Sequence, residues 1–270
     1  MTDTFTLDTD IALIGCGRLG SALVEGWLGT PGFKADRLKI IEHYETPATD
    51  QAKAAGATIN PSVDQLKDVG VWVLAIKPAV WREALAPHVD VMRKDAVLAS
   101  VMAGVRLDDV REAAGGRGVA RLMPTTAVAQ RQGVAGLYSP DEKARDVATA
   151  LFEGMADVVP LEAEDLLDPA TGVAGSAPAF VYAFIQALAR AGEAEGLKPD
   201  AAVRLARGAL RSAAAGVSGG QSLEDAIERI ASKGGTTRAG LDALEADGGA
   251  ARAATAAVSA AVAKARDLSR

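Results

Sequence analysis

Apolar and polar positions follow two different rhythms along this chain. Up to about residue 160, short continuous apolar runs occur at 11–14, 38–41, 71–76, 97–101 and 119–123. Runs of this length bounded by polar or glycine-rich stretches predict strands buried on both faces. Helix-like spacing fills most of the intervals, at 18–28, 50–55, 80–86 and 107–113. Strands alternating with helices predict a parallel sheet covered on both sides. Residues 133–138 predict a further edge strand and 140–154 a helix. Past Pro160 no strand pattern appears. The chain turns rich in alanine, leucine and charged residues, with breakers at 196–199, 216–220, 234–235 and 247–249. That predicts a set of helices. The expected class is α/β, with a parallel-sheet domain over 1–160 and an all-α domain over 161–270. The alanines are sufficient as good helix formers, and their small side chains also suit close helix packing in a dimer.

Composition narrows the function. The chain has 270 residues and a formal net charge of -6. Such a length predicts one large or two modest domains, and a mildly acidic surface repels phosphate backbones, so no nucleic-acid partner is expected. Cys16 is the only cysteine, and His43 and His88 are the only histidines. An intramolecular disulfide is impossible and a structural metal site is not expected. The N-terminal MTDTFTLDTD lacks the basic and apolar regions of a signal peptide. No apolar run approaches the roughly 18 residues of a membrane span. The expected compartment is the cytoplasm, without membrane partners.

The first candidate site is Gly15-Cys16-Gly17-Arg18-Leu19-Gly20, between the strand at 11–14 and the helix that follows. In a GxGxxG loop of this context the first glycine makes the tight turn, and the second lets the backbone approach a pyrophosphate. The third lets helix and strand pack closely. The free N–H groups of the helix start attract the phosphates. The reading is a Rossmann-type dinucleotide-binding domain; a tight turn without ligand is the weaker alternative. Glu42 ends the second strand, where a carboxylate accepts hydrogen bonds from the ribose hydroxyls of NAD and repels the extra phosphate of NADP. Arg37 precedes that strand, and the next basic side chain beyond it is Lys53. NADH is therefore weakly favoured over NADPH; the alternative is that Glu42 is only a solvated strand-end residue.

Other candidates are less decided by the residues alone. Ala75, Ile76, Lys77 and Pro78 follow the third run, at the carboxyl edge where such sheets bind ligands. Lys77 reads equally well as an ordinary solvated lysine. Met102 and Ala103, in the small-residue stretch 100–104, offer backbone for a nicotinamide to lie against, or a simple turn. AGSAPAF at 174–180 reads as a helix kinked by Pro178 toward the cofactor, or as a crossing that needs small residues. Ser232, Lys233, Gly234, Gly235, Thr236 and Thr237 precede a helix at 238–245. Hydroxyls there can cap it, but the donors exceed what a cap requires, and the cluster is a candidate carboxylate site.

GCGRLG, AIKP, VMAG, RLMPTT, DPATGVAGSAPAF and SKGGTTRAGLDALE occur in an order that resembles pyrroline-5-carboxylate reductase, from about Ile11 to the C-terminus. The last two motifs are the specific ones. The resemblance implies a Rossmann-type cofactor domain and a helical substrate and dimerisation domain. It also implies homodimers that often assemble further, commonly into decamers. The implied reaction reduces 1-pyrroline-5-carboxylate to L-proline with NADPH or NADH, the last step of proline biosynthesis. By resemblance Ser232, Thr236 and Thr237 hold the substrate carboxylate, with Thr237 nearest the imine. Four positions depart from the family pattern: Thr125 for asparagine, Ala127 for proline, Ala177 for glycine and Lys233 for proline. None removes a charged group that the chemistry requires. Two rivals remain at this point. A β-hydroxyacid dehydrogenase needs a lysine early in its helical domain, and between Pro160 and Ser232 only Lys198 is present, in a GLKPD turn. A nucleotide-binding regulatory protein without catalysis needs no such group.

Overall fold

The computed structural model describes residues 4–217 and 222–268. The breaker expected at 216–220 lies partly outside them. The first unit holds an eight-stranded sheet in the order β3-β2-β1-β4-β5-β6-β7-β8. Its strands are β1 (Asp10–Ile14), β2 (Leu38–Ile41), β3 (Thr58–Ile59), β4 (Val69–Leu74), β5 (Val97–Ser100), β6 (Gly118–Pro124), β7 (Gly133–Tyr138) and β8 (Ala156–Pro160). All neighbours are parallel except the β6–β7 pair.

Burial on both faces explains the continuous apolar runs. Ile11, Leu13, Val71 and Val73 point into one core with Leu23 and Trp27 of α1 (Arg18–Leu28) and Phe152 of α5 (Glu142–Phe152). Ala12, Ile14, Trp72 and Leu74 alternate into the other. That second core also receives Trp81 and Leu85 of α3 (Trp81–Leu85), and Val110 of α4 (Leu107–Ala113). The Trp27 indole N–H donates to the Leu151 carbonyl at 3.0 Å and ties α1 to α5.

Several expectations shift. The strand expected at 71–76 is Val69–Leu74, so Ala75 and Ile76 lie in the loop beyond it. The helix expected at 50–55 is α2 (Pro47–Ala54), fixed by a capping box in which the Thr46 hydroxyl accepts the Thr49 N–H at 3.1 Å. Two strands had no clear pattern: β3 has two residues, and β8 is mostly unburied along its length. The compact units are Met1–Gly175 with Ala261–Arg270, and Ser176–Ala260. Residues just past β8, including α6 (Leu167–Ala170), pack on β6 and β7, which carries the first unit beyond its last strand.

The second unit, Ser176–Ala260, is helical. It contains α7 (Ala177–Ala194), α8 (Pro199–Val217), α9 (Leu223–Ile230), α10 (Thr236–Glu245) and the start of α11 (Gly249–Leu268). Its buried core is small, Ala189, Ala202 and Ala206 with Ile185 against them. Tyr182, Leu205, Leu223 and Ile230 are all more than half exposed. The helical run Glu164–Ala194 is long and apolar enough to cross a bilayer by length and composition, contrary to the expectation that no segment approaches this.

Pro178 does not kink a helix interior. It sits in the first turn of α7, where its missing N–H has no intrahelical partner to lose. The irregularity lies one turn earlier, in a π-helical turn at Thr171–Gly175.

Candidate active site

The glycine loop has the geometry that its residues require. Gly15 has a φ of +92°, and a Cβ there would come within 2.6 Å of the Ala75 carbonyl oxygen. Only glycine fits this turn without strain. Gly17 caps α1 in an extended conformation with no side-chain cap and no acidic residue in the first turn. A Cβ on Gly17 would meet nothing within 4 Å, so this face of the loop is open. A Cβ on Gly20 would overlap the Gly15 carbonyl oxygen. The three glycines therefore divide into a turn, an open approach and a packing contact. Arg18 is exposed and Leu19 half-buried at the helix start.

Cys16 turns its side chain inward. It is fully buried, and burial, the largest effect on it, pushes the thiol pKa up. Its sulfur lies 3.7 Å from the Ser21 hydroxyl and 3.8 Å from that of Thr46. Its backbone N–H faces Glu42. Glu42 Oε2 accepts that N–H at 2.6 Å, while Oε1 accepts those of His43 and Tyr44 at 2.8 and 3.2 Å. Asn60, with a φ of +50°, braces the same turn: its Nδ2 donates to the Glu42 carbonyl and its Oδ1 accepts the Glu42 N–H.

At the carboxyl edge of β4, Ala75 and Ile76 are half-buried and Lys77 and Pro78 exposed. Lys77 precedes a short 3-10 turn without capping it. Beyond β5, Met102 is buried in the second core, so that it can offer a ligand only backbone, whereas Ala103 is exposed. Gly104 turns the loop with a φ of +76°. Thr125 is accommodated structurally: its hydroxyl accepts the Val134 N–H at 3.2 Å where β6 meets β7.

In the second unit, Gly234 has a φ of +74° and Gly235 caps α10 with no side-chain hydrogen bond. The helix begins at Thr236, two residues ahead of the expected start. Thr236, Thr237 and Ser232 are exposed around that uncapped N-terminus. The expected alternative, a hydroxyl cap on this helix, does not form.

Sequence reasoning missed a group of charges beside the β5 loop. Arg121 is buried in β6, and its Nη1 donates to Glu164 Oε1 at 2.7 Å. Arg106 joins them, 3.3 Å from Glu164 Oε2 and 2.6 Å from Asp165. The available signal was one arginine inside the apolar run VARLM.

Comparison with known proteins decides between the readings. The pyrroline-5-carboxylate reductase dimerisation profile matches residues 164–268, and that of the coenzyme F420-dependent NADP oxidoreductases matches 10–104. The pyrroline-5-carboxylate reductase of Glycine max is 32% identical over 264 residues, 96% of each chain. This chain belongs to the pyrroline-5-carboxylate reductase family. A solved reductase of the family from Coxiella burnetii superposes with a TM-score of 0.89 at 24% identity, covering 98% of this chain and all of that one. One from Plasmodium falciparum with NADP bound has a TM-score of 0.77 at 22% identity, over 97% and 99% of the two chains. The family match spans both units, and neither the hydroxyacid dehydrogenase nor the regulatory reading is favoured.

Proposed function

We propose that this chain reduces the cyclic imine 1-pyrroline-5-carboxylate to L-proline, using NADH or NADPH. The observation that carries the reading is the joint presence of an open glycine loop and the uncapped SKGGTT helix start in a chain of this family. The loop fits a dinucleotide. Gly17 leaves room for a pyrophosphate, the free N–H groups of α1 face it, and Glu42 supplies an acceptor for the ribose. The bound nicotinamide supplies the hydride. Gly15, Cys16, Gly17, Arg18, Leu19 and Gly20 hold the pyrophosphate half. Ala75 to Pro78 and the backbone at Met102 and Ala103 line the nicotinamide half.

Ser232, Thr236 and Thr237 hold the substrate carboxylate together with the N–H groups of the α10 N-terminus, whose dipole favours an anion. Thr237 donates its hydroxyl nearest the imine. No side chain needs to act as a strong acid or base: the imine takes a proton at nitrogen from solvent, and the hydride then adds to the carbon of the resulting iminium to give the amine. Positioning is the main contribution of the protein.

The exposed apolar helix faces, within the region matched by the dimerisation profile, are covered by a second copy of the chain in a homodimer. Such dimers assemble further, up to a decamer, and the compartment is the cytoplasm. Light scattering at micromolar concentration is expected to return at least twice the chain mass of 27.6 kDa, and a monomer argues against the interface. For the activity, purified protein is given the imine and each reduced cofactor in turn. Consumption of the reduced nicotinamide with proline as product is expected. Folded protein that turns over with neither cofactor overturns the reading.

A further inference from the structure

The charges beside the β5 loop form a clamp on that loop. Arg121 pairs in register with Ser100, the last residue of β5, so its side chain lies level with the start of the loop 101–106. Only 6% of that side chain is exposed, and 11% of Glu164's. Arg121 Nη1 holds Glu164 at 2.7 Å and Nη2 reaches the Met102 carbonyl oxygen at 3.5 Å. Glu164 Oε1 also accepts the Leu107 N–H at 2.6 Å. The pair therefore touches the loop at both ends, at Met102 where it leaves the sheet and at Leu107 where α4 begins. Arg106, on the exposed rim, lies 3.3 Å from the free oxygen of Glu164, and its other nitrogen binds Asp165. Two arginines and two carboxylates balance in charge.

Stability alone does not account for this arrangement. A buried ion pair adds little over an apolar pair of equal size, because desolvation offsets the attraction, whereas it fixes geometry through directional bonds. Arg121 Nε is moreover buried without a partner, a local cost that apolar residues at this position would avoid.

We propose that Arg121 and Glu164 are positioning residues that hold the loop 101–106 as a rigid backbone wall for the nicotinamide, an inference that rests on the reading of Met102 and Ala103 given above. The pair touches no cofactor atom itself. It acts through the Met102 carbonyl and the Leu107 N–H, and so bears on the nicotinamide half of the cofactor and leaves the adenosine half alone.

The test compares NADH with ADP-ribose, which lacks the nicotinamide, by calorimetric titration of the wild type, Glu164→Gln and Arg121→Lys. Glu164→Gln keeps the shape and an acceptor for Leu107, while Arg121→Lys keeps the charge without the fork. ADP-ribose affinity is expected to stay within about twofold of wild type. NADH should bind about fivefold or more weakly, and single-turnover hydride transfer should slow by about tenfold or more, since small misplacements of a reacting group are costly. Arg106→Gln, on the half-exposed rim, keeps the test decisive should the buried variants fail to fold; it should slow hydride transfer about threefold with ADP-ribose affinity unchanged. Equal weakening of both ligands, or hydride transfer and NADH binding at wild-type values in the folded variants, overturns the proposal. If the wild type binds NADH but does not reduce the imine, the activity reading fails on its own and the comparison of the two ligands still decides the clamp. A wild type that binds neither ligand overturns both.

Discussion

The carboxylate of Glu42, at the end of β2, accepts the backbone N–H of Cys16 in the glycine loop at 2.6 Å. Its other oxygen takes the N–H groups of His43 and Tyr44. Three backbone donors thus converge on one negative charge beside the glycine loop. A carboxylate has about four acceptor positions, so one is left for a ribose hydroxyl. A phosphate on that ribose would have to displace the carboxylate from its donors or sit against its charge.

Glu42 should therefore set cofactor preference. Wild type is expected to use NADH with higher kcat/KM than NADPH. In Glu42→Ser the ratio of the two efficiencies should fall by about tenfold or more, since a hydrogen bond to a charged group contributes roughly 1.5–3 kcal/mol. Both assays need the same ionic strength, because the effect on NADPH is electrostatic. An unchanged ratio would mean that Glu42 only braces the Cys16 turn.

Two glycines of one loop should respond differently to the same substitution. A Cβ on Gly17 meets no protein atom, and its φ of -70° suits any residue. Gly17→Ala should lose no more than about 1 kcal/mol of stability, the difference between glycine and alanine as an N-cap. It should weaken NADH binding by an order of magnitude, because the new methyl stands where the pyrophosphate approaches. Gly20→Ala drives its methyl into the Gly15 carbonyl oxygen, and should lose about 1–3 kcal/mol of stability by overpacking. Thermal melts and NADH titration separate the two. Wild-type NADH affinity in Gly17→Ala would remove the pyrophosphate from this face.

What the sequence made legible follows from how local each feature is. β1 and β4 are buried on both faces, so their apolar runs are continuous and stand out. β4 was expected to run on to Ile76, because Ala75 and Ile76 are apolar as well; they leave the sheet to form the carboxyl-edge loop. β8 escaped notice because it is an edge strand with one buried residue, Ala156, and nothing in ADVVP marks it. The glycine loop and SKGGTT stood out as candidates because each gathers its distinctive residues within six positions. The pairing of Arg121 with Glu164 was not, since the partners lie 43 residues apart and meet only in the folded sheet. The apolar length of 164–194 was hidden by polar residues spaced along it, and shows only where α6, the π-helical turn and α7 follow one another along the chain.

The second-unit loop makes a prediction that separates binding from capping. No side chain caps α10, whose N-cap is Gly235. Thr237→Ala therefore removes no capping bond, and its melting temperature should match wild type. Its kcat/KM for the imine should fall about tenfold or more, the loss expected when a hydrogen bond to a charged group disappears. The Kd for NADH should hold. A lowered melting temperature with unchanged kcat/KM would assign the hydroxyl to the helix and not to the substrate.

Stability should fall on mild acidification through His88. Its ring lies 5.8 Å from that of Trp72, tilted by 31°, and partial burial pushes its pKa below the ordinary 6.5. The unfolded chain then binds a proton more readily than the folded one at pH values between the folded pKa and 6.5. Stability rises with pH wherever the unfolded state holds more protons. The contribution of His88 is thus fully present above 6.5 and is lost as pH falls from there toward the folded pKa, below which it loses nothing more. The lowered carboxylates Asp64 and Asp95 act in a different window, because their stability is lost only as pH falls through and below about 3.8, the ordinary value for aspartate. His88→Phe keeps a ring against Trp72 and removes the titrating group. Its melting temperature should change less than that of wild type between pH 7 and about 5, the range in which an ordinary histidine gains its proton. Melting curves of the two proteins recorded across that range check this, and parallel profiles would show that His88 takes no part in the acid response.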